Sequence, residues 1–254
     1  MKYAEVIIIS GGFFYKEIKM NTFFKKSLLA SLLALTASSV MAAQSVDITV
    51  TGKIVPSSCT PSFPSGGGIA DFGTIKVASL NSTSATALPD IKTVPVTITC
   101  EEDTRVGISF TDVHSASAPT TDYAINFAST DFASSVNYLF GLGMYGSQKI
   151  GAYALGIQID AGTLTNGNGD NLIAYASADE GTTWGTKSGN SYMQIINNKS
   201  EIYSFGKSAT NAPEPQTKVN FNVGVSAIIN PTNDLHITDE ATLDGLTTVE
   251  LVYL

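Results

Sequence analysis

An alternating run at the end of the chain, in which Glu250 and Val252 point the opposite way from their neighbours, constrains the fold more than any other feature. Val249, Leu251 and Tyr253 lie two residues apart, and Leu254 is the last residue of the sequence. Because successive side chains of a β-strand point to opposite faces, these three side chains project to one side. The run therefore predicts a terminal strand with one apolar face, and such a strand needs a sheet to pair with.

A second alternating run lies before the first cysteine. It contains Val46, Ile48 and Val50, and it continues through Gly52 to Ile54. An apolar strand at each end of the chain favours assembly by adding a strand of one molecule to a sheet of another. The two runs together predict strand exchange. The alternative is that the first run belongs only to the protein's own first strand.

The composition supports an all-β fold. Charged residues make up 14% of the 254 residues, against about 25% in an average soluble protein. Val, Ile, Thr and Tyr occur throughout, and 22 glycines provide turns between short strands. Apolar residues do not recur at helical spacing over any long stretch after residue 42. The sequence therefore predicts one β-sandwich domain.

Charge and motif content exclude several functions. The net charge is −8 and Arg105 is the one arginine, so the clustered cations that bind nucleic acid are missing. Neither histidine, His114 or His236, lies in a metal-binding spacing, and no G-x-S-x-G motif occurs. We therefore expect a protein that is not an enzyme and that holds no cofactor and no metal.

Residues 20–42 are typical of a secretory signal. Lys25 and Lys26 form a short basic region, and an apolar stretch follows that is too short to span a membrane. Small residues precede the expected cleavage point after Ala42, with cleavage after Ala43 as the alternative. The signal predicts export into an oxidising compartment.

The signal divides the chain into four segments. Residues 1–19 precede it, and we interpret them as a misassigned upstream start, the alternative being an unusually long basic region of the signal. Residues 43–55 form an N-terminal strand or extension. Residues 56–254 form the predicted sandwich, within which residues 71–75 predict a short strand with a glycine kink.

The exported part of the chain has two cysteines, Cys59 and Cys100. In an exported protein two cysteines most often pair. A disulfide between them would close a loop of about 41 residues and would stabilise the fold by roughly 3–4 kcal/mol in the chain-entropy treatment. The alternatives are two free thiols or a metal pair.

Four features are shared with one known family. They are the segment Ile48-Thr-Val-Thr-Gly-Lys-Ile-Val-Pro-Ser-Ser-Cys59, the motif Ala70-Asp-Phe-Gly-Thr-Ile75, the strand Val96-Thr-Ile-Thr-Cys100, and the penultimate Tyr253. In this combination the chain resembles the chaperone–usher fimbrial subunits, the pilins of Gram-negative bacteria. The glycine-rich segments at residues 140–145 and 150–155 resemble a larger, less characterised branch of fimbria-associated proteins.

The resemblance implies an immunoglobulin-like sandwich that lacks its last strand. A periplasmic chaperone fills the open groove first, and the N-terminal extension of the next subunit replaces it at the outer-membrane usher. The residues that would form the donor strand are Val46, Ile48, Val50 and Gly52. Those that would meet the chaperone on the last strand are Val249, Leu251, Tyr253 and Leu254.

One further motif matches the S-x-D-x-G-x-T-W pattern known as an Asp box. Its residues are Ser177, Asp179, Gly181, Thr183 and Trp184. The pattern occurs in sialidases, but recognition of the substrate carboxylate there would need clustered arginines. With a single arginine in the chain, the motif predicts a structural hairpin turn closed by Asp179 and Gly181.

These features together predict a structural subunit of a fimbrium. The subunit would pass through the periplasm to the cell surface, assemble with other subunits by donor-strand exchange and contribute to bacterial adhesion. The alternative is a tip or minor adhesin that recognises surface glycans or a host receptor. A tip subunit needs no donor strand, so the short run before Cys59 favours the first reading.

Overall fold

A computed structural model describes most of the chain after the signal. The described residues are 48–54, 57–122, 124–125, 127, 135–187, 191–207 and 212–254. The chain divides into two compact units, residues 1–52 and 53–254. In the first unit the structure describes only residues 48–52, which have no regular secondary structure. The predicted start segment, the signal and Val46 lie outside the described residues.

The second unit consists almost entirely of short antiparallel strands. In chain order they are β1 (Cys59–Ser62), β2 (Thr86–Ala87), β3 (Lys92–Thr104), β4 (Val106–Asp112), β5 (Phe140–Gly141), β6 (Met144–Tyr145), β7 (Gln148–Lys149), β8 (Gly151–Gln158), β9 (Thr165–Asn166), β10 (Ile173–Ser177), β11 (Tyr192–Gln194), β12 (Ile202–Gly206), β13 (Gln216–Ile229) and β14 (Thr247–Tyr253). The helical segments are one turn each. They are α1 (Thr232–Leu235) and the 3₁₀ turns Gly66–Gly68, Val77–Ser79, Ser115–Ser117 and Val136–Tyr138.

The strands form two large sheets that pack as a β-sandwich, as the sequence predicts. One sheet has the order β1-β3-β13-β8-β11, with β2 and β9 on β13 and β5 on β8. The other has the order β10-β12-β4-β14, and β6 with β7 forms a small ribbon. Side chains from both sheets share one core, in which the Phe205 ring of β12 lies 5.3 Å from the Phe221 ring of β13.

Strand β13 forms the centre of the larger sheet. It pairs with β3 on one side and β8 on the other, so that Val223 lies opposite both Val94 and Ile157. Its side chains at Val219 and Phe221 are buried. The near-continuous burial of its second half follows from neighbours on both edges and cover on both faces.

The disulfide prediction is confirmed. Cys59 and Cys100 lie directly opposite each other in the register of β1 with β3, and their sulfurs are bonded. The bond therefore joins the outermost strand of the large sheet to its neighbour. Both cysteines are buried, at 8% and 7% exposure, so they also contribute to the core.

One predicted strand is wrong. Residues 71–75 form no strand, and Gly73 has a φ of 64°, which is outside the extended region. Its N–H donates to Asp71 Oδ1 at 2.7 Å, which makes a local turn instead of a ladder. None of the helices in the described part of the chain is long and apolar enough to cross a membrane.

Candidate functional site

The candidate site is a groove of about 940 Å³ between the two sheets of the sandwich. Its floor consists of apolar core side chains from β3, β4, β8 and β13. Those side chains are Val94, Val96, Phe110, Leu155, Val223 and Val225. A groove with such a floor favours an apolar occupant, because burying those surfaces removes them from water.

Strand β14 forms one wall of the groove. It pairs with β4 over its whole length, from Thr247 opposite Asp112 to Tyr253 opposite Val106, and with no other described strand. Its second edge therefore presents unpaired N–H and C=O groups. Val249 lines the groove, and like Leu251 it is half-buried against the core. The wall thus combines a free backbone edge with an apolar face.

The segment from residue 67 to residue 75 forms the other wall. Phe72 is half-buried against the core, and the Lys92 ammonium lies 5.6 Å from the centre of its ring. Within the described residues, the backbone of residues 70–75 makes one hydrogen bond, that from Gly73 to Asp71. Both walls of the groove therefore carry backbone groups that a further strand could pair with.

A loop of residues 237–246 closes one end of the groove. Tyr145 Oη donates to Asp239 and accepts from the Thr238 N–H at 3.1 Å. Further along, the His114 ring donates from Nδ1 to the Asp244 carbonyl at 2.6 Å. These contacts join the loop to β6 and to the turn after β4, so they fix where β14 begins.

A buried carboxylate lies at the same end. Asp112 is 5% exposed and accepts from the N–H groups of His114 and Gly141 at 2.9 and 2.8 Å. Burial raises the pKa of this carboxyl, and the two N–H donors partly offset the rise. Beside it, Tyr153 bonds the Thr247 hydroxyl at 2.7 Å, and burial raises the pKa of its phenol. The group is a polar anchor for the start of β14.

The structure places the predicted last-strand residues on two faces. Val249, Leu251 and Tyr253 share the inner face, and the Tyr253 hydroxyl accepts from the Cys59 N–H at 2.9 Å. Leu254 is 43% exposed, and its N–H donates to the Arg105 carbonyl at 3.2 Å. The end of β14 is thus joined to the first strand and to Arg105, the residue that precedes β4.

Two predicted donor residues are strongly exposed. The exposed fraction is 89% for Ile48 and 92% for Val50, and Gly52 has no atom within 4 Å of where a Cβ would lie. Apolar side chains that are this exposed are typical of a segment that becomes buried against another surface. Ile54 follows the same pattern in the second unit and is also fully exposed.

The five residues of the Asp box come together in one turn after β10. Asp179 accepts from Ser177 Oγ, from the Thr183 N–H and from Thr183 Oγ1 at 2.7, 2.9 and 2.5 Å. The hydroxyls of Thr183 and then Ser177 lower the pKa of this carboxyl to about 2. Trp184 Nε1 donates to the Gly181 carbonyl at 2.9 Å, and Gly181 has a φ of 86°. Ala176 and Gly185 close the turn with paired backbone bonds.

Sequence reasoning did not identify the two loops that wall the groove. The sequence predicts a strand at residues 71–75 and has no periodic apolar pattern at residues 237–246, and the positions of both segments depend on contacts with distant residues. Tyr145, for example, is 93 positions from Thr238. The available signal was the mixture of Ile69, Phe72 and Ile75 with glycines, which marks apolar residues in a segment that cannot form a regular strand.

The structure defines an all-β sandwich protein with a groove beside the edge strand β14, and comparison with known proteins identifies its family. The family model described as "Protein of unknown function (DUF1120)" matches residues 48–154. YhcF, an uncharacterised protein of Escherichia coli (strain K12), is 31% identical over 244 residues, which cover 89% of this chain and 98% of YhcF. The chain therefore belongs to the same family as YhcF. It is also similar to the protein GltF of that strain, with 28% identity over 259 residues, 91% of this chain and 100% of GltF.

Proposed function

We propose that the protein is a structural subunit of a chaperone–usher fimbria and is assembled by donor-strand exchange. The observation that carries the proposal is the groove between the free edge of β14 and residues 67–75. An apolar groove lies over the sandwich core there, and the backbone of each wall has unpaired groups. A subunit that waits for a strand from a partner needs these two properties.

An inserted strand would gain two kinds of interaction. Its backbone would pair with β14, and its alternate side chains would cover Val223, Val225 and Val249 in the groove. Complete burial of one aliphatic side chain stabilises by about 1.5–3 kcal/mol. Three such side chains would therefore hold the strand strongly, and without an occupant the edge would be prone to aggregation.

The donor in this proposal is the segment around residues 46–52 of the next subunit. Val46, Ile48 and Val50 lie two residues apart, so they enter successive pockets of the neighbouring groove. The exposure of Ile48 and Val50 supports this role. Before assembly, a strand of a periplasmic chaperone occupies the groove beside β14, and the usher then carries the subunit to the surface fimbrium.

Replacement of Ile48 by Asp tests the proposal. Ile48→Asp should abolish surface fimbriae, since a carboxylate cannot be buried in an apolar pocket. The periplasmic complex between the chaperone and the subunit should remain, because the variant's own groove is unchanged. Thr49→Asp is the matched control. In an extended donor strand its side chain points to the face opposite that of Ile48, so fimbriae should form. Both products are quantified in the native bacterium.

Two outcomes would contradict the donor assignment. Loss of both products in Ile48→Asp would make Ile48 a core residue of the subunit itself. Normal fimbriae in Ile48→Asp would show that no donor pocket takes this side chain, and a tip or minor adhesin would then explain the sequence better.

A further inference from the structure

The Asp-box turn reaches the end of β14. A Cβ built on Gly181 would lie 3.5 Å from Leu254 Cδ2, and one built on Gly107 of β4 would lie 3.7 Å from Leu254 Cδ1. The Leu254 side chain therefore sits between two glycines, one from the sheet and one from the turn. Both distances are in the range of ordinary van der Waals contacts, so the turn and β4 lie on either side of Leu254.

The turn that contacts Leu254 is held in one shape. Asp179 fixes its two ends through Ser177 and Thr183, and Trp184 caps the Gly181 carbonyl. The following segment is anchored as well, because Lys187 forms an ion pair with Glu201, whose side chain is 12% exposed. A turn with this many internal bonds provides a rigid support.

Strand β14 is thus held at its end from both faces. On the inner face Tyr253 Oη accepts from the Cys59 N–H at 2.9 Å, and on the outer face Leu254 lies beside the turn. With β4 as its only strand neighbour among the described residues, β14 depends on such contacts to stay ordered. An ordered edge accepts a strand at lower entropic cost than a mobile one.

We propose that the Asp-box turn is a positioning element for partner binding. It seats Leu254 and thereby keeps the free edge of β14 extended and in register for the incoming strand. Gly181 and Asp179 act through Leu254 and touch no partner themselves. This inference rests on the proposed function, in which the incoming strand is residues 44–54 of a second copy. It assigns the motif a role beyond closing its own hairpin.

A coupling experiment tests the inference in the full mature chain. The probe is a fluorescent peptide of residues 44–54, and its Kd is measured by anisotropy with wild type, Asp179→Ala, Leu254→Ala and the double variant. Each single change should weaken binding about tenfold, which corresponds to about 1.4 kcal/mol. The double variant should bind the peptide no more weakly than either single variant, because both changes remove the same support of Leu254 by the turn.

Two controls separate positioning from a general loss of stability. Asp170 is an exposed turn carboxylate that bonds Lys207 and Asn166, so Asp170→Ala removes comparable bonds elsewhere and should leave the peptide Kd unchanged. Leu254→Met retains the apolar contact and should restore affinity. Amide exchange should rise at residues 249–254 in Asp179→Ala and should stay unchanged in β13.

The outcomes distinguish this inference from the proposed function. If wild type binds the peptide and Asp179→Ala binds it equally well, the positioning role is wrong and the fimbrial proposal stands. Additive losses in the double variant would also overturn it, since the turn would then act independently of Leu254. If wild type binds no peptide, strand addition itself fails and the inference fails with it.

Discussion

Strands β13 and β14 have the same sequence pattern but opposite surroundings. Both place apolar residues two positions apart on one face, yet β13 is paired on both edges and Phe221 at its centre is 2% exposed. Strand β14 is paired on one edge, and Val249 and Leu251 on its inner face are only half-buried. Alternation therefore specifies which face of a strand is buried, but it does not specify how many other strands pair with it.

The free edge of β14 has features that protect it. The strand is seven residues long, and Glu250 on its outer face binds Lys199 with both carboxylate oxygens, at 2.6 and 2.7 Å. Short length and charge are the usual defences of an exposed sheet edge. The inner face has no such defence, which agrees with a groove that is filled by a partner.

Truncating one inner-face side chain on each strand should lower the free energy of unfolding by very different amounts. Phe221→Ala should lower the free energy of unfolding by about 3–5 kcal/mol, because a buried ring in contact with Phe205 leaves a cavity. Val249→Ala should lower it by only about 1 kcal/mol, since its smaller side chain is only partly buried. Urea unfolding of the oxidised mature chain measures both. Equal losses would contradict the contrast between the strands.

The free energy of unfolding should also depend on the disulfide that joins β1 to β3. Replacing Cys59 and Cys100 together by serine should cost about 3–4 kcal/mol, because the unfolded chain gains the freedom of a loop closed over 41 residues. The measurement is again urea unfolding, with a thiol assay to verify oxidation of the wild type. An unchanged midpoint would mean that pairing of β1 with β3 needs no cross-link.

Asp112, the polar anchor at the start of β14, should contribute less to the free energy of unfolding than the disulfide does. Asp112→Ala leaves the buried N–H groups of His114 and Gly141 without an acceptor, and the expected loss is about 2–3 kcal/mol. Asp112→Asn keeps one acceptor and should lose less. If Asp112→Ala unfolds at the wild-type midpoint, water replaces the carboxylate and the anchor has no role.

The smallest effect should be on the pH dependence of the free energy of unfolding, to which the carboxyl groups near the two ends of β14 contribute with opposite sign. The lowered pKa of Asp179 means that its contribution is full above the unfolded pKa, about 4, and is lost as pH falls towards 2. The raised pKa of Asp112 means that its contribution is largest at low pH and declines as pH rises above about 4. Comparing the pH dependence of unfolding for wild type, Asp179→Asn and Asp112→Asn measures both. If the two carboxyl groups contributed slopes of the same sign to the free energy of unfolding against pH, the opposite pKa shifts of Asp179 and Asp112 would be contradicted.

The sequence predicted those parts of the fold that depend on local pattern. Alternation gave the sandwich and the last strand, and the export signal gave the disulfide, which the structure confirms. It could not predict that residues 71–75 form no strand, because the positive φ of Gly73 and the missing neighbour are set by tertiary context. The groove was implied by family resemblance, whereas its walls depend on contacts such as that of His114 with Asp244, which are 130 residues apart.

The position of β13 in the chain has a consequence for the timing of folding. Its two main neighbours, β3 and β8, end at residues 104 and 158, whereas β13 begins at residue 216. At a synthesis rate of about 5–20 residues per second, β3 is made roughly ten seconds before the strand that will lie beside it. The large sheet therefore cannot nucleate progressively from the N-terminus, and its long-range pairings favour slow folding. Until β13 is made, the apolar faces of β3 and, once synthesised, of β8 have to be kept apart from other chains.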